Sequence, residues 1–223
     1  MNLNKEELDI AKEVVNVGLG KAADSMAFFT KEKVLIRSLN FDVKSTNSIQ
    51  SLSQKHKDEL LYVLKTEIKG ELGGVCFLVF SEKEVSELVK IALPKSILDD
   101  KEKLAVMTDA ILLEMDNIIV ASVVTQFSNL FNFKMYGDVP SLTKTVLNGF
   151  TQIVESTNKT SKYVLYFQSE FNTSGMDINP EFIWLLDEKY IEGVKVLSQD
   201  KGIIEKMRTS SLEKKTRIYP MMN

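Results

Sequence analysis

The sequence has very few of the residues on which most nucleophilic and metal chemistry depends. Its 223 residues include one cysteine, Cys76, and one histidine, His56. A Ser-His-Asp relay, a Cys-His relay and a zinc site each need histidine or cysteine partners that this chain lacks. We therefore expect no metal site of its own, and we expect any catalysis to use carboxylates and amides. A single cysteine excludes an internal disulfide, so we expect Cys76 to be a buried thiol in a reducing compartment.

Long hydrophobic runs are also absent. The most apolar stretch, residues 105–124, contains three carboxylates and an asparagine, whereas a membrane span needs roughly 18 apolar residues. The first residues are polar and acidic and do not form a signal peptide, so we expect a cytoplasmic protein with no membrane insertion. A net charge of −3 and a pI near 5.4 give no field that would gather nucleic acid. The segment 201–223 is richer in Lys and Arg and is predicted to be a basic C-terminal tail.

The two halves of the chain carry the same order of predicted elements. Asn4 and Glu7 form a capping-box signal that predicts a helix from about residue 5. Periodicity then predicts strands over 33–43, 59–68 and 74–80, and a short helix closed by Pro94. In the second half it predicts a long helix over about 101–130, strands around 134–143, 162–171 and 181–187, and a helix over 188–199.

Short sequence matches between these halves indicate an ancient duplication. Glu13-x-x-Asn16 recurs as Glu114-x-x-Asn117 at an offset of 101, and Thr66-Glu67 recurs as Ser169-Glu170 at an offset of 103. Slowly growing offsets are typical of a duplication followed by small insertions. We predict an α/β (α+β) fold built as a pseudo-two-fold repeat of α-β-β-β-α units, with one continuous sheet and two long motif-bearing helices. This would be a single domain over 1–200 with halves 1–95 and 96–200.

The stretch Gly18-x-Gly20-x-x-Ala23 has a second interpretation, because its spacing is that of a dinucleotide-binding turn. Asp42, about 20 residues further on, would then bind a ribose. Two observations favour a helix instead: the segment from Asn4 has helical spacing, and the glycines do not recur in the second half.

On a helix, Asp9, Glu13 and Asn16 share one polar stripe. The opposite face is apolar and is expected to pack on a sheet, with Gly18 near its centre allowing close approach. Gly20 and Ala23 are expected to lie beside the polar stripe, leaving room for a partner. In the second helix, Glu114 and Asn117 are flanked in the same way by Ala110 and Ala121. The alternative is an ordinary solvent-facing polar stripe.

At these residues the sequence resembles the CheC/CheX/FliY family of bacterial chemotaxis phosphatases. The motif of that family matches Asp9-x3-Glu13-x2-Asn16-x-Gly18-x-Gly20-x-Ala22-Ala23 throughout. The second copy keeps Glu114 and Asn117 but has Ala110 where the family usually has Asp or Ser. The resemblance spans about residues 5–200, including the segment 69–84. It implies a CheC-like fold in a short stand-alone member, without the N-terminal CheY-binding peptide or the C-terminal switch domain of FliY.

The resemblance implies a hydrolase that dephosphorylates the phospho-aspartate of the response regulator CheY. Asn16 and Asn117 would orient the attacking water, while Glu13 and Glu114 would pair with a lysine of CheY. Asp9, Gly20, Ala110 and Ala121 would belong to the partner-binding surface. The Mg²⁺ ion would come from CheY, and some members of the family are also stimulated by CheD. The alternative is a non-catalytic chemotaxis or flagellar-switch module of the same fold.

Overall fold

The computed structural model describes residues 3–30, 33–46, 58–157, 161–173 and 177–200, together with Gly175, Gly202 and Glu205. His56 and nearly all of the predicted basic tail lie outside the described residues. The helices are α1 (Lys5–Thr30), α2 (Glu82–Ala92), α3 (Lys95–Leu98), α4 (Lys101–Phe131), α5 (Leu147–Thr157) and α6 (Glu188–Gln199). The strands are β1 (Leu35–Ser45), β2 (Leu61–Gly70), β3 (Gly74–Ser81), β4 (Met135–Gly137), β5 (Ser141–Thr145), β6 (Tyr163–Asn172), β7 (Asp177–Ile178) and β8 (Glu181–Leu186).

The described strands form one antiparallel sheet in which the strands of the two halves are arranged symmetrically about the centre. The order is β1-β6-β8-β3-β2-β4, with β5 also paired to β2 and β7 to β6. Read inward from one edge, β1 of the first half is followed by β6 and β8 of the second half. Read inward from the other edge, β4 of the second half is followed by β2 and β3 of the first half. Each half therefore gives its first strand to the sheet of the other half. This arrangement agrees with the predicted α/β fold with a pseudo-two-fold repeat.

Local capping explains why the helices start where the sequence predicts. The Asn4 side chain accepts from Glu7 N at 3.0 Å, and Asn4 N donates to the Glu7 carboxylate at 2.7 Å. Ser81 and Glu84 form the same reciprocal pair at the start of α2. Each pair satisfies backbone N–H groups that the first turn of a helix leaves without partners.

Some elements differ from the sequence prediction. The strand expected around 134–143 is two strands, β4 and β5, and the break at 138–140 contains Pro140, which cannot donate to a ladder. Helices α3 and α5 and the short strand β7 were not predicted. Helix α5 places Leu147, Phe150 and Val154 on the sheet, which is the i, i+3, i+7 spacing of an amphipathic helix.

The core has two layers, one on each face of the sheet. One face is covered by α1, α2, α4 and α6, and its largest fully buried side chains include Trp184, Phe127 and Tyr190. The other face is covered by α5 over residues such as Phe77 and Ile183. Since strand side chains alternate between faces, the apolar runs in β3, β6 and β8 are those of strands buried on both sides. Cys76 is buried in the first layer, as predicted.

Gly18 lies where α1 packs against α4, and not against the sheet as the sequence suggested. A Cβ on Gly18 would stand 2.8 Å from Val123 Cα and 3.1 Å from the Ser122 carbonyl oxygen. These are backbone atoms that cannot move aside. Because α1 runs without interruption through Gly18 and Gly20, the dinucleotide-turn interpretation is wrong. Asp42 instead lies in β1 and pairs with Lys44 at 3.0 Å.

Candidate functional site

The first motif lies in the middle of α1, on the side of the helix that is turned away from the core. Glu13 and Asn16 are half-buried, whereas Val14 and Val15 between them are fully buried. Asp9, one turn before Glu13, is exposed. The Glu13 carboxylate has no hydrogen bond or ion pair with the described residues. The Glu13 carboxylate is therefore available to a binding partner, while the buried Val14 and Val15 hold the helix against the core.

The Asn16 carboxamide is held by Ser38 of β1. Its Oδ1 accepts from the Ser38 backbone N–H at 3.1 Å and from the Ser38 hydroxyl at 2.9 Å. A backbone N–H can only donate, so the atom facing Ser38 must be the oxygen of the carboxamide. The Asn16 NH₂ group donates no hydrogen bond within the described residues. Ser38 was not among the residues that the sequence pointed to.

The second motif lies on α4 and is more open. Glu114 and Asn117 are both exposed, while Leu112 and Ile119 on the other side of the helix are fully buried. In the part of the chain that the structure describes, no hydrogen bond or ion pair involves the Glu114 or Asn117 side chain. Both functional groups of this pair are free to meet a partner.

The flanking small residues lie mostly as predicted. Ala110 and Ala121 are exposed on the stripe of Glu114 and Asn117, and Gly20 is half-buried. Ala23 is only 6% exposed and belongs to the core, so the expectation that it leaves room for a partner is wrong.

Two exposed apolar side chains extend the α4 stripe towards the start of the helix. Val106 is 68% exposed and Met107 is 38% exposed, about two turns before Glu114. Met107, Ala110, Glu114, Asn117 and Ala121 follow one another at intervals of three or four residues. They form a continuous strip, which we call the α4 strip. Its middle is polar, at Glu114 and Asn117, and its two ends are apolar.

Asp116 is a buried acid directly beside Asn117 in sequence. It is inaccessible to solvent, and its Oδ2 accepts from the Thr66 hydroxyl at 2.5 Å. Burial raises the pKa of this carboxyl to about 7, although the hydrogen bond from Thr66 lowers it. Its Oδ1 has no partner within the described residues. The signal in the sequence was an acid at an otherwise apolar position of α4, which packs through Leu112, Met115 and Ile119.

Nothing in the described residues provides a metal centre, since no three of their His, Cys, Asp and Glu side chains are grouped to hold an ion. None of the described helices is long and apolar enough to cross a bilayer. The distinguishing features of the structure are the two Glu/Asn pairs, one on each long helix, and the antiparallel sheet with a symmetric strand order beneath them. This combination is a CheC-like fold, as the sequence predicted.

Comparison with solved structures agrees with this class of fold. The crystal structure of FliY from Thermotoga maritima matches with a TM-score of 0.69 and 17% identity, over 89% of this chain and 98% of the chain in that structure. A chain of the FliG–FliM complex from H. pylori matches with a TM-score of 0.57 and 11% identity, over 88% and 100%. The FliM middle domain from H. pylori gives 0.52 and 10%, over 88% and 99%. No family model matches the chain.

The chain therefore has the fold shared by FliY and the FliM middle domain. That fold agrees with the CheC/CheX/FliY family, which the residues of the Glu/Asn motif resemble. At identities of 10–17% the likeness concerns the fold alone. Function depends on the side chains that the fold presents, since one fold can support different functions.

Proposed function

We propose that this chain is a phosphatase that hydrolyses the phospho-aspartate of a CheY-type response regulator. The observation that carries the proposal is the outward placement of Glu114 and Asn117 on α4, with neither side chain engaged by the described residues. A buried glutamate or asparagine would be tied into the fold, and a random surface pair would not recur in α1 at the same spacing. The recurrence of Glu13 and Asn16 at the matching point of α1 supports the proposal.

The residue types suit the hydrolysis of an acyl phosphate. Such a reaction needs no protein nucleophile, because a water molecule positioned in line with the leaving carboxylate attacks the phosphorus directly. A carboxamide on a rigid helix can hold that water, as a glutamine does in GTPases. The Mg²⁺ that neutralises the phosphoryl oxygens would be held by the response regulator and not by this chain.

The glutamates would dock the two proteins. Glu13 and Glu114 lie one helical turn before the asparagines, so a lysine paired with either acid would bring the phosphoryl group to the following turn. Exposed Met107 and the small Ala110 and Ala121 would let a partner approach the α4 strip closely. Asp9 would add a second carboxylate at the α1 site.

Replacing both asparagines tests the proposal. Asn16→Ala with Asn117→Ala should remove nearly all of the acceleration, of order 10² to 10³-fold, by analogy with the loss of one preorganised polar group. The measurement is the decay of a CheY-type regulator phosphorylated with acetyl phosphate and Mg²⁺, with the phosphatase present in substoichiometric amounts. Because Asn16→Ala leaves the Ser38 N–H and hydroxyl without their acceptor, circular dichroism should first establish that the double variant is folded. Unchanged decay in the double variant would refute the assignment of these residues.

A second candidate function is a non-catalytic binding module, because a matching chain was solved in a complex of FliG and FliM. The same assay separates the two candidates. A catalyst turns over many equivalents of phosphorylated regulator, whereas a binding module alters at most one equivalent for each site. Slowed decay that saturates at the concentration of sites would favour the module.

A further inference from the structure

We propose that Ser38 is a positioning residue that keeps Asn16 in a donor-only state, so that Asn117 carries most of the hydrolysis. This inference rests on the proposed function. The two asparagines are equivalent in sequence but differ in their hydrogen bonds, since Ser38 binds the Asn16 oxygen while Asn117 has no partner in the described residues. The Glu-x-x-Asn spacing itself does not distinguish them.

The hydrogen bonds to Asn16 use the full accepting capacity of its oxygen. A carboxamide oxygen has two lone pairs, and the Ser38 N–H and hydroxyl occupy both. Ser38 is only 4% exposed, so water does not readily replace it. The Asn16 NH₂ group remains, and it can only donate.

This difference matters for the attack on phosphorus. An attacking water must direct a lone pair at the phosphorus while its O–H bonds are held by acceptors. A carboxamide oxygen can accept such an O–H, whereas an NH₂ group donates either to the lone pairs of the water or to a phosphoryl oxygen. Asn117 can therefore orient water, and Asn16 as held here is suited to binding a phosphoryl oxygen.

The sheet explains why only one half has this contact. Strand β1 is an edge strand, and Asn16 accepts a backbone N–H of that strand at Ser38. The first strand of the second half is divided into β4 and β5 at residues 138–140. At an offset of 101 to 103, the counterparts of Ser38 are residues 139–141, which are the last two residues of this break and the first residue of β5. No equivalent contact with Asn117 is formed in the described residues.

Ser38→Ala in an Asn117→Ala background tests the role of the hydroxyl. The substitution frees one lone pair of Asn16 but leaves the backbone N–H to hold the carboxamide in place. Because a net hydrogen bond no longer has to be broken, the residual hydrolysis should rise roughly tenfold. Asn117→Ala alone should slow phosphoryl decay more than Asn16→Ala alone.

Two variants serve as controls in the same background. Ser38→Thr retains the hydroxyl and should leave the Asn117→Ala protein slow. Ser169 lies opposite Ser38 in the β1–β6 ladder, is fully buried, and its hydroxyl has no partner within the described residues. Ser169→Ala therefore removes a neighbouring buried hydroxyl that does not touch Asn16, and it should produce no rescue.

A readout independent of catalysis is the side-chain amide signal of Asn16 in a ¹⁵N NMR spectrum, identified by its loss in Asn16→Ala. Ser38→Ala should move this signal and Ser169→Ala should not. If the signal moves and the Asn117→Ala protein is not rescued, the role of Ser38 is wrong. Equal losses from the two single asparagine variants would also overturn it. If the parent protein does not accelerate decay at all, the proposed function fails, and the division between the asparagines fails with it.

Discussion

At the scale of single residues, Asp116 is next to the exposed Asn117 in sequence, but its own side chain lies in the core. Its carboxyl is buried under α4 against Thr66, with one oxygen that has no partner in the described residues. The pKa of the buried Cys76 thiol is raised by its own burial and also by the charge of Asp116. At the offset of 101 that relates the two motifs, the counterpart of Asp116 in the first half is Val15. At the offset of 103, the counterpart of Thr66 in the second half is Ser169. The Ser169 hydroxyl accordingly lacks the acid that Thr66 has.

This carboxyl should make stability depend on pH. Its pKa is about 7 in the folded protein and near 3.8 when unfolded, so between these values the folded state binds a proton that the unfolded state does not. The free energy of unfolding should therefore fall as the pH rises from about 4 to about 7 and then level off. Asp116→Asn should remove this dependence, so the free energy of unfolding of the variant relative to the parent should be about 2–3 kcal/mol higher at pH 8 than at pH 5.

Urea unfolding of parent and variant at pH 5 and pH 8 measures the effect. Asparagine matches aspartate in size and its oxygen can still accept from Thr66, so packing should be preserved. A difference between the two proteins that is the same at both pH values would contradict the assignment of a raised pKa to Asp116.

At the scale of elements, two glycines two positions apart on α1 have different environments. Gly18 faces the backbone of α4, whereas Gly20 lies half-buried near the motif stripe. Helix propensity alone would favour alanine at both positions by up to about 1 kcal/mol. Packing must therefore decide the result at Gly18.

Gly18→Ala should destabilise the protein by about 1–2 kcal/mol, since α1 and α4 must separate to admit the added methyl group. Gly20→Ala is the matched control, and its free energy of unfolding should be equal to or higher than that of the parent. Thermal or urea unfolding gives both values. If the two substitutions change stability equally, the close contact of α1 with α4 is not what requires Gly18.

The elements show which parts of the structure the sequence could predict. The start of α1, the end of α2 before Pro94 and both ends of α4 were predicted within one or two residues, because local signals such as Asn4 with Glu7 and the proline mark them. The division of the strand at Pro140 was missed because the surrounding residues still have strand-like composition. The outward placement of Glu114 and Asn117 followed from helical spacing. The contact of Ser38 with Asn16 did not, since it joins a strand and a helix that only the tertiary fold brings together.

At the scale of the whole molecule, the two halves depend on each other. Strand β1 pairs with β6 of the other half, and β4 and β5 pair with β2. Helices α1 and α4 also meet across the same division at Gly18. An isolated half would lose an edge strand and expose the apolar face of its long helix.

Fragments of residues 1–95 and 96–200 should therefore not fold separately, and mixing them should restore the native sheet. Circular dichroism and size-exclusion chromatography of each fragment and of the equimolar mixture provide the measurement. The full chain is the reference for both. A monomeric, cooperatively folded 1–95 fragment would show that the exchanged strands are dispensable.

The exchange of first strands also says something about how such a chain could have arisen. An ancestor with a single copy of the repeat would have had no second half to receive its strand β1. It could have completed its sheet only as a symmetric pair of identical chains, each lending a strand to the other. Joining two genes would then have turned an association that depends on concentration into an intramolecular one. The two copies of the motif would afterwards have been free to diverge, one remaining open and the other becoming tied to its neighbouring strand.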